Sequence, residues 1–168
     1  MCNNDHYAAK RVIQEKYFKT QYNEHVCLMS FVGRITEQKG LNANLGVHLI
    51  LESLYHLFPA HLGNLQVLIG GQASLSDPYG ANCIRMIQEL RQMYPQNFYA
   101  NPTSFFYDGS LINSGSDWAL MPSKFEPGGI VQQEYFVGNN VNSGVSQRGT
   151  KRLVYMLYIY MYICFVLI

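Results

Sequence analysis

The chain has 168 residues, of which 48% are hydrophobic, 14% aromatic and only 14% charged. That is enough apolar material for one domain with a buried core, and too much for a disordered segment. A formal net charge of +1 excludes the broad basic field of a dedicated nucleic-acid binder, so any phosphate site must be local.

Cysteines at 2, 27, 83 and 164 show no CxxC spacing, and histidines at 6, 25, 48, 56 and 61 form no HExxH or His/Cys cluster. Neither a disulfide scaffold nor a protein-held metal is expected. The opening residues, MCNNDHYAAKR, lack the basic-then-apolar layout of a signal peptide, and the expected location is cytoplasm or plastid.

In chain order, Tyr7 to Tyr22 mixes alternating charge with Val12, Ile13, Tyr17 and Phe18, and reads as an exposed amphipathic helix. His25 to Val32 is a continuous apolar run with β-branched and aromatic members, hence a buried strand. Leu45 to Phe58 carries apolar residues at helical spacing and is expected to stop at Pro59; His48 and His56 are ordinary positions on it. Leu65 to Ile69 is a second short buried strand, closed by Gly70-Gly71. Ser76 to Gly80 supplies a cap and a turn, with Asp77 and Tyr79 in those roles, before a helix from Ala81 to Tyr94. Phe98 to Ala100 is a third strand, and Phe105-Phe106-Tyr107-Asp108-Gly109 an aromatic run ending in a turn. Ser110 to Gly115 is a lead-in to the next strand. The repeated alternation of strand and helix predicts an α/β fold with a parallel sheet covered by helices on both faces.

The stretch from Ser116 to Val137, SDWALMPSKFEPGGIVQQEYFV, organises the rest. Trp118 to Met121 suits a short buried strand that ends at Pro122, which cannot donate to a central ladder. Pro127-Gly128-Gly129 is a turn, and Ile130 to Val137 can all be helical. A strand, a tight glycine turn and a helix start belong at the carboxyl end of an α/β sheet, where ligands bind. Backbone amides of such a turn attract phosphate. Glu126 precedes the turn and Glu134 follows eight residues later, so both can face one cleft.

MPSKFEPGGIVQQE resembles the two-carboxylate motif of retaining glycosyltransferases of the starch synthase and glycogen synthase type, and FVGRITEQKG resembles their VGR-x-x-x-x-KG string. Ile69-Gly70-Gly71 and Gly115-Ser116-Asp117 are similar as well, so the resemblance runs from about Ala9 to Asn139. It implies a Rossmann-like domain, the second or donor half of a two-domain fold of the GT-B type, here truncated. It assigns residues 1–22 to a lead-in helix, 23–140 to the incomplete donor domain and 141–168 to a divergent hydrophobic tail.

The implied partners are ADP-glucose or UDP-glucose and an α-1,4-glucan, with no further cofactor. Arg34 and Lys39 would hold the diphosphate, with Gly33 in the same loop. Glu126 would act near the reacting centre and Glu134 at the donor ribose. Gly128, Gly129 and Ile130 would offer amides, and Phe106, in its aromatic run, would stack on the base. The alternatives are an inactive nucleotide-sugar or glucan-binding regulatory fragment, or a remnant.

After Asn139 the family pattern stops. Leu153 to Ile168 is sixteen apolar or aromatic residues behind Lys151-Arg152. This is short for a bilayer span and rich in tyrosine. A tail anchor, a core helix and sequence foreign to the domain are the three readings; the last is preferred, and contact of 153–168 with a membrane is not the expected one.

Overall fold

In the computed structural model, residues 3–36, 46–104, 107–120 and 122 are described. Four parallel strands form one sheet: β1 (Cys27–Val32), β2 (Leu65–Gly70), β3 (Phe98–Ala100) and β4 (Trp118–Ala119), in the spatial order β3-β2-β1-β4. β1 pairs with β2 along its whole length, from Cys27 opposite Leu65 to Val32 opposite Gly70, and with β4 through Met29 opposite Trp118 and Ser30 opposite Ala119. Every residue of β2 is buried, as a strand covered on both faces must be.

Helices α2 (Val47–His61) and α3 (Pro78–Met93) cover one face. Their apolar stripes join Phe31, Val67, Ile69 and Phe98 of the sheet in the larger core around Leu51, Leu54, Phe58, Ile87 and Leu90. The opposite face carries α1 (Asn3–Ile13), continued by a π-helical turn over Gln14–Phe18, and the short α4 (Gly109–Gly115). Ile13, Phe18, Leu28, Leu68 and Ile112 form the second core there. This is the expected three-layer arrangement.

Several local expectations change. The N-terminal helix is not an exposed one: Ala9, Lys10, Ile13, Gln14 and Phe18 are all buried. The π turn ends on Lys19 in the left-handed region (φ 56°). It sets Gln14 in a buried polar network, donating to Gln66 Oε1 at 3.0 Å and Asn23 O at 3.1 Å while accepting from Asn23 N at 2.8 Å. Pro59 does not end α2, which runs on to His61; a proline so near a helix end costs only the bond of a turn that is already finishing. α3 begins three residues earlier than its apolar spacing suggests, because Asp77 is the N-cap and Pro78 the first helical residue. Ser110 to Gly115, expected only to lead into the next strand, lies in a helix. The strand at 118 pairs over two residues only.

α4 can lie close to α1 because Gly115 has no side chain. A Cβ there would stand 2.6 Å from Ile13 Cδ1 and 2.7 Å from Lys10 N. Beneath that crossing lies a buried charge cluster. Lys10 Nζ donates to Asp117 Oδ2 at 2.6 Å and to Glu24 O at 3.0 Å, and Leu28 N donates to Asp117 Oδ2 at 2.9 Å. His6 Nδ1 donates to Ser114 O at 2.7 Å, and its Nε2 lies 3.3 Å from Asp117 Oδ1. Burial alone would raise the Asp117 carboxyl, but His6, the Leu28 amide and Lys10 together outweigh it and hold it below the usual carboxylate range. Asp117 is thus the pin joining α1, β1 and the start of β4.

Candidate functional site

The strand order creates one special place. From β1 the chain moves outward to β2 and β3, then returns to the other side of β1 to form β4. The direction of winding therefore reverses between β1 and β4, and α/β sheets bind ligands in the crevice at the carboxyl ends of such a pair.

Gly33 and Arg34 leave β1 at that edge. Gly33 N donates to Gly70 O at 2.9 Å and Ile35 N to Gln72 O at 3.0 Å, so pairing with the β2 side continues past the strand ends through an isolated Ile35–Ala73 bridge. Ala73 N in turn donates to Pro102 O at 2.8 Å, tying in the connection after β3. Gly71 is required here: a Cβ on it would collide with the Gly33 carbonyl oxygen. Arg34 stands between two backbone-bonded neighbours with its side chain exposed, while Ile35 is fully buried. A fixed backbone carrying an exposed guanidinium fork is suited to an anion with several oxygens.

β4 reaches the same edge. Leu120 N donates to Ser30 O at 2.7 Å, and the segment that begins MPSKFEPGG follows directly. Both sequence motifs thus leave the sheet from adjacent strands. Of the expected site residues, Gly33 and Arg34 are at this edge. Lys39, Phe106, Glu126, Gly128, Gly129, Ile130 and Glu134 lie outside the described residues, as does the tail. Among the described residues no helix is long and apolar enough to cross a membrane.

Other groups line the edge. Asp108, before α4, accepts from both Lys16 Nζ and the Tyr17 hydroxyl. These side-chain hydrogen bonds hold its carboxyl below the usual range, and Tyr107 beside it is 86% exposed. At the start of α3, Asp77 accepts from Tyr79 N at 3.2 Å and Gly80 N at 3.3 Å, which is the capping role its sequence suggests. Tyr79 does more than turn: its hydroxyl meets His48 of α2. Sequence reasoning missed that pair, since its members are 31 residues apart and each looks ordinary in its own helix.

No family model matches the chain. Individual proteins do. It is 32% identical over 126 residues to the cell wall alpha-1,3-glucan synthase ags1 of Schizosaccharomyces pombe, covering 75% of this chain and 5% of that protein. It is 32% identical over 119 residues to the glycogen synthase of Petrotoga mobilis, covering 70% of this chain and 21% of that enzyme. Among solved structures, the catalytic domain of starch synthase IV from Arabidopsis thaliana, bound to ADP and acarbose, superposes with a TM-score of 0.60 at 20% identity over 80% of this chain and 25% of that one. A trehalose-6-phosphate synthase superposes with a TM-score of 0.51 at 18% identity, over 68% and 28%. These structural likenesses carry the fold, a Rossmann-like half of the GT-B type. The chain spans about a fifth of the glycogen synthase and a far smaller part of the alpha-1,3-glucan synthase. Over the greater part of its length, then, the chain's homologues are glycogen synthases and alpha-1,3-glucan synthases.

Proposed function

We propose that this chain is the donor-binding part of a retaining glucosyltransferase that moves glucose from ADP-glucose or UDP-glucose to an α-glucan. The observation that carries the reading is that Gly33-Arg34 leave β1 beside β4, the strand that MPSKFEPGG follows in the sequence, at the switch point of the sheet. In the reaction an acceptor hydroxyl bonds the anomeric carbon on the face that the nucleoside diphosphate leaves; the diphosphate departs with the bonding pair and takes up the hydroxyl proton on a phosphate oxygen. Negative charge grows on a phosphate oxygen, and fixed positive charge aimed at it lowers the barrier.

Arg34 and Lys39 are the groups we assign to that oxygen and its neighbours, with the amides of Gly128, Gly129 and Ile130 completing the cradle. Glu126 serves the donor sugar near the reacting carbon, Glu134 the ribose, and Phe106 the base. The diphosphate can be neutralised in this way by protein groups alone. By likeness to glycogen synthases the acceptor is an α-1,4-glucan. Holding that acceptor against the donor needs a second wall to the cleft, because rate comes from both reactants being oriented together.

Calorimetric titration of the chain with ADP-glucose and with UDP-glucose tests the reading and identifies the base. Saturable binding of one sugar, weakened roughly tenfold or more by Arg34→Ala and by Lys39→Ala, is the expected result, given what a charge-assisted bond to phosphate contributes. A folded chain that binds neither sugar would overturn it.

A further inference from the structure

The connection that begins with Gly33-Arg34 ends where α2 begins, and α2 does not cap itself. Its N-cap is Gly46 (φ 125°), which has no side chain to accept from the first-turn amides. The missing acceptor comes from the neighbouring helix. The His48 backbone amide donates to the Tyr79 hydroxyl at 3.3 Å, His48 Nδ1 lies 3.3 Å from the same oxygen, and the two rings meet edge to face at 5.6 Å.

Tyr79 is itself held firmly. Asp77 accepts from its backbone amide, and Gly80 packs so closely on the Ser74 carbonyl oxygen that no Cβ would fit. Burial pushes the Tyr79 phenol up to about 12, although amide bonds from His48 and Val47 pull it back. The hydroxyl stays neutral and accepts from an amide without adding charge to the edge. The β2–α3 connection is already stitched to the β1 side through Ile35, Gln72 and Ala73. The Tyr79 hydroxyl is a second fastening between the same two connections, at the helix end.

We propose that the Tyr79 hydroxyl is a positioning group for the donor site: it caps α2 from outside and so fixes the Gly46 end of the segment that starts at Gly33-Arg34. Without it the first turn of α2 frays, and a bound diphosphate must rebuild that turn. The inference rests on the donor-site reading above.

The test uses ADP as the probe on the whole chain and three proteins: wild type, Tyr79→Phe and Ile87→Val. Tyr79→Phe keeps the ring and removes only the acceptor oxygen. Ile87→Val trims the buried core of α3 far from the cap and serves as a control for general destabilisation. The expected result is about fivefold weaker ADP binding and faster amide exchange at His48 in Tyr79→Phe, the loss typical of a removed helix cap. Ile87→Val lowers the melting temperature and leaves ADP affinity unchanged. Equal ADP affinity in Tyr79→Phe and wild type overturns the positioning role, and an equal loss in both variants reduces it to stability. Failure of wild type to bind ADP would instead overturn the donor-site reading and this inference with it, while His48 exchange still reports whether the cap exists.

Discussion

Removing the carboxylate that pins α1 to the sheet is the sharpest test of the packing. In Asp117→Ala, Lys10 stays 2% exposed with only the Glu24 carbonyl as partner, and the Leu28 amide is orphaned. An uncompensated buried charge costs about 3–5 kcal/mol, which dominates; the lost amide acceptor falls within the same range and is not added separately. Since whole-domain stability is only about 5–15 kcal/mol, Asp117→Ala should leave a barely folded protein. Lys10→Met is the milder partner change, because Asp117 keeps the Leu28 amide and is 19% exposed to water; we expect about 1–2 kcal/mol. Together the two changes should cost less than their sum, because the second removes the charge that the first strands. Urea unfolding of the four proteins at neutral pH measures all three quantities. A cost below about 1 kcal/mol for Asp117→Ala would refute the buried-charge argument, since no orphaned ammonium would be that cheap.

Three further outcomes follow from the same contacts. Asp117 is held below its unfolded value, so on acidification the unfolded chain takes up the proton first; the cluster's contribution should be complete above the ordinary carboxylate range and fade as pH falls below it, a slope absent in the Asp117→Ala protein. Gly115→Ala should lose about 1–3 kcal/mol in the same urea assay, because the added methyl meets Ile13 and the α1 backbone at 2.6–2.8 Å; no loss would show that α1 can slide away from α4. Cys27 and Cys83, both pushed up to about 11 chiefly by burial, should react with iodoacetamide far more slowly than a free thiol at pH 8 in the folded protein, and normally once it is unfolded in urea.

Much of the scaffold could be read from residue patterns because it depends on local rules. β1, β2 and β3 are short apolar runs bounded by turns, and α2 and α3 carry their stripes at helical spacing, so their existence and order were plain. What escaped depends on contacts between distant residues. Ser110 to Gly115 holds one strong helix former, Leu111, among serines and an asparagine, and ends in glycine; it is helical because Ile112 is buried between sheet and α1 and because Ser116 N and Oγ both donate to Ile112 O. The N-terminal helix looked exposed because lysine and glutamine count as solvent-facing, yet Lys10 and Gln14 point inward to partners supplied by Asp117 and Gln66.

The site divided in the same way. Gly33 and Arg34, which the motif marks, follow β1 at the sheet edge, and their role at a donor phosphate belongs to the proposal. Gly71 and Gly115, from the two shorter stretches that share the resemblance, are close-approach glycines, and Asp117 is a packing residue held by Lys10 and the Leu28 amide. The Tyr79–His48 cap had no local signal at all, since neither a mid-pattern histidine nor a turn tyrosine advertises a partner in another helix.

In the proposed reading the donor diphosphate sits between the ends of β1 and β4. Peptide-level hydrogen exchange with and without saturating ADP tests it directly. Slower exchange in the peptides covering Gly33 to Ile35 and in those following Pro122, with β3 and the amino ends of the strands unchanged, is the predicted result. Protection confined to another face, or none at all in a folded chain at saturating ADP, would rule that placement out.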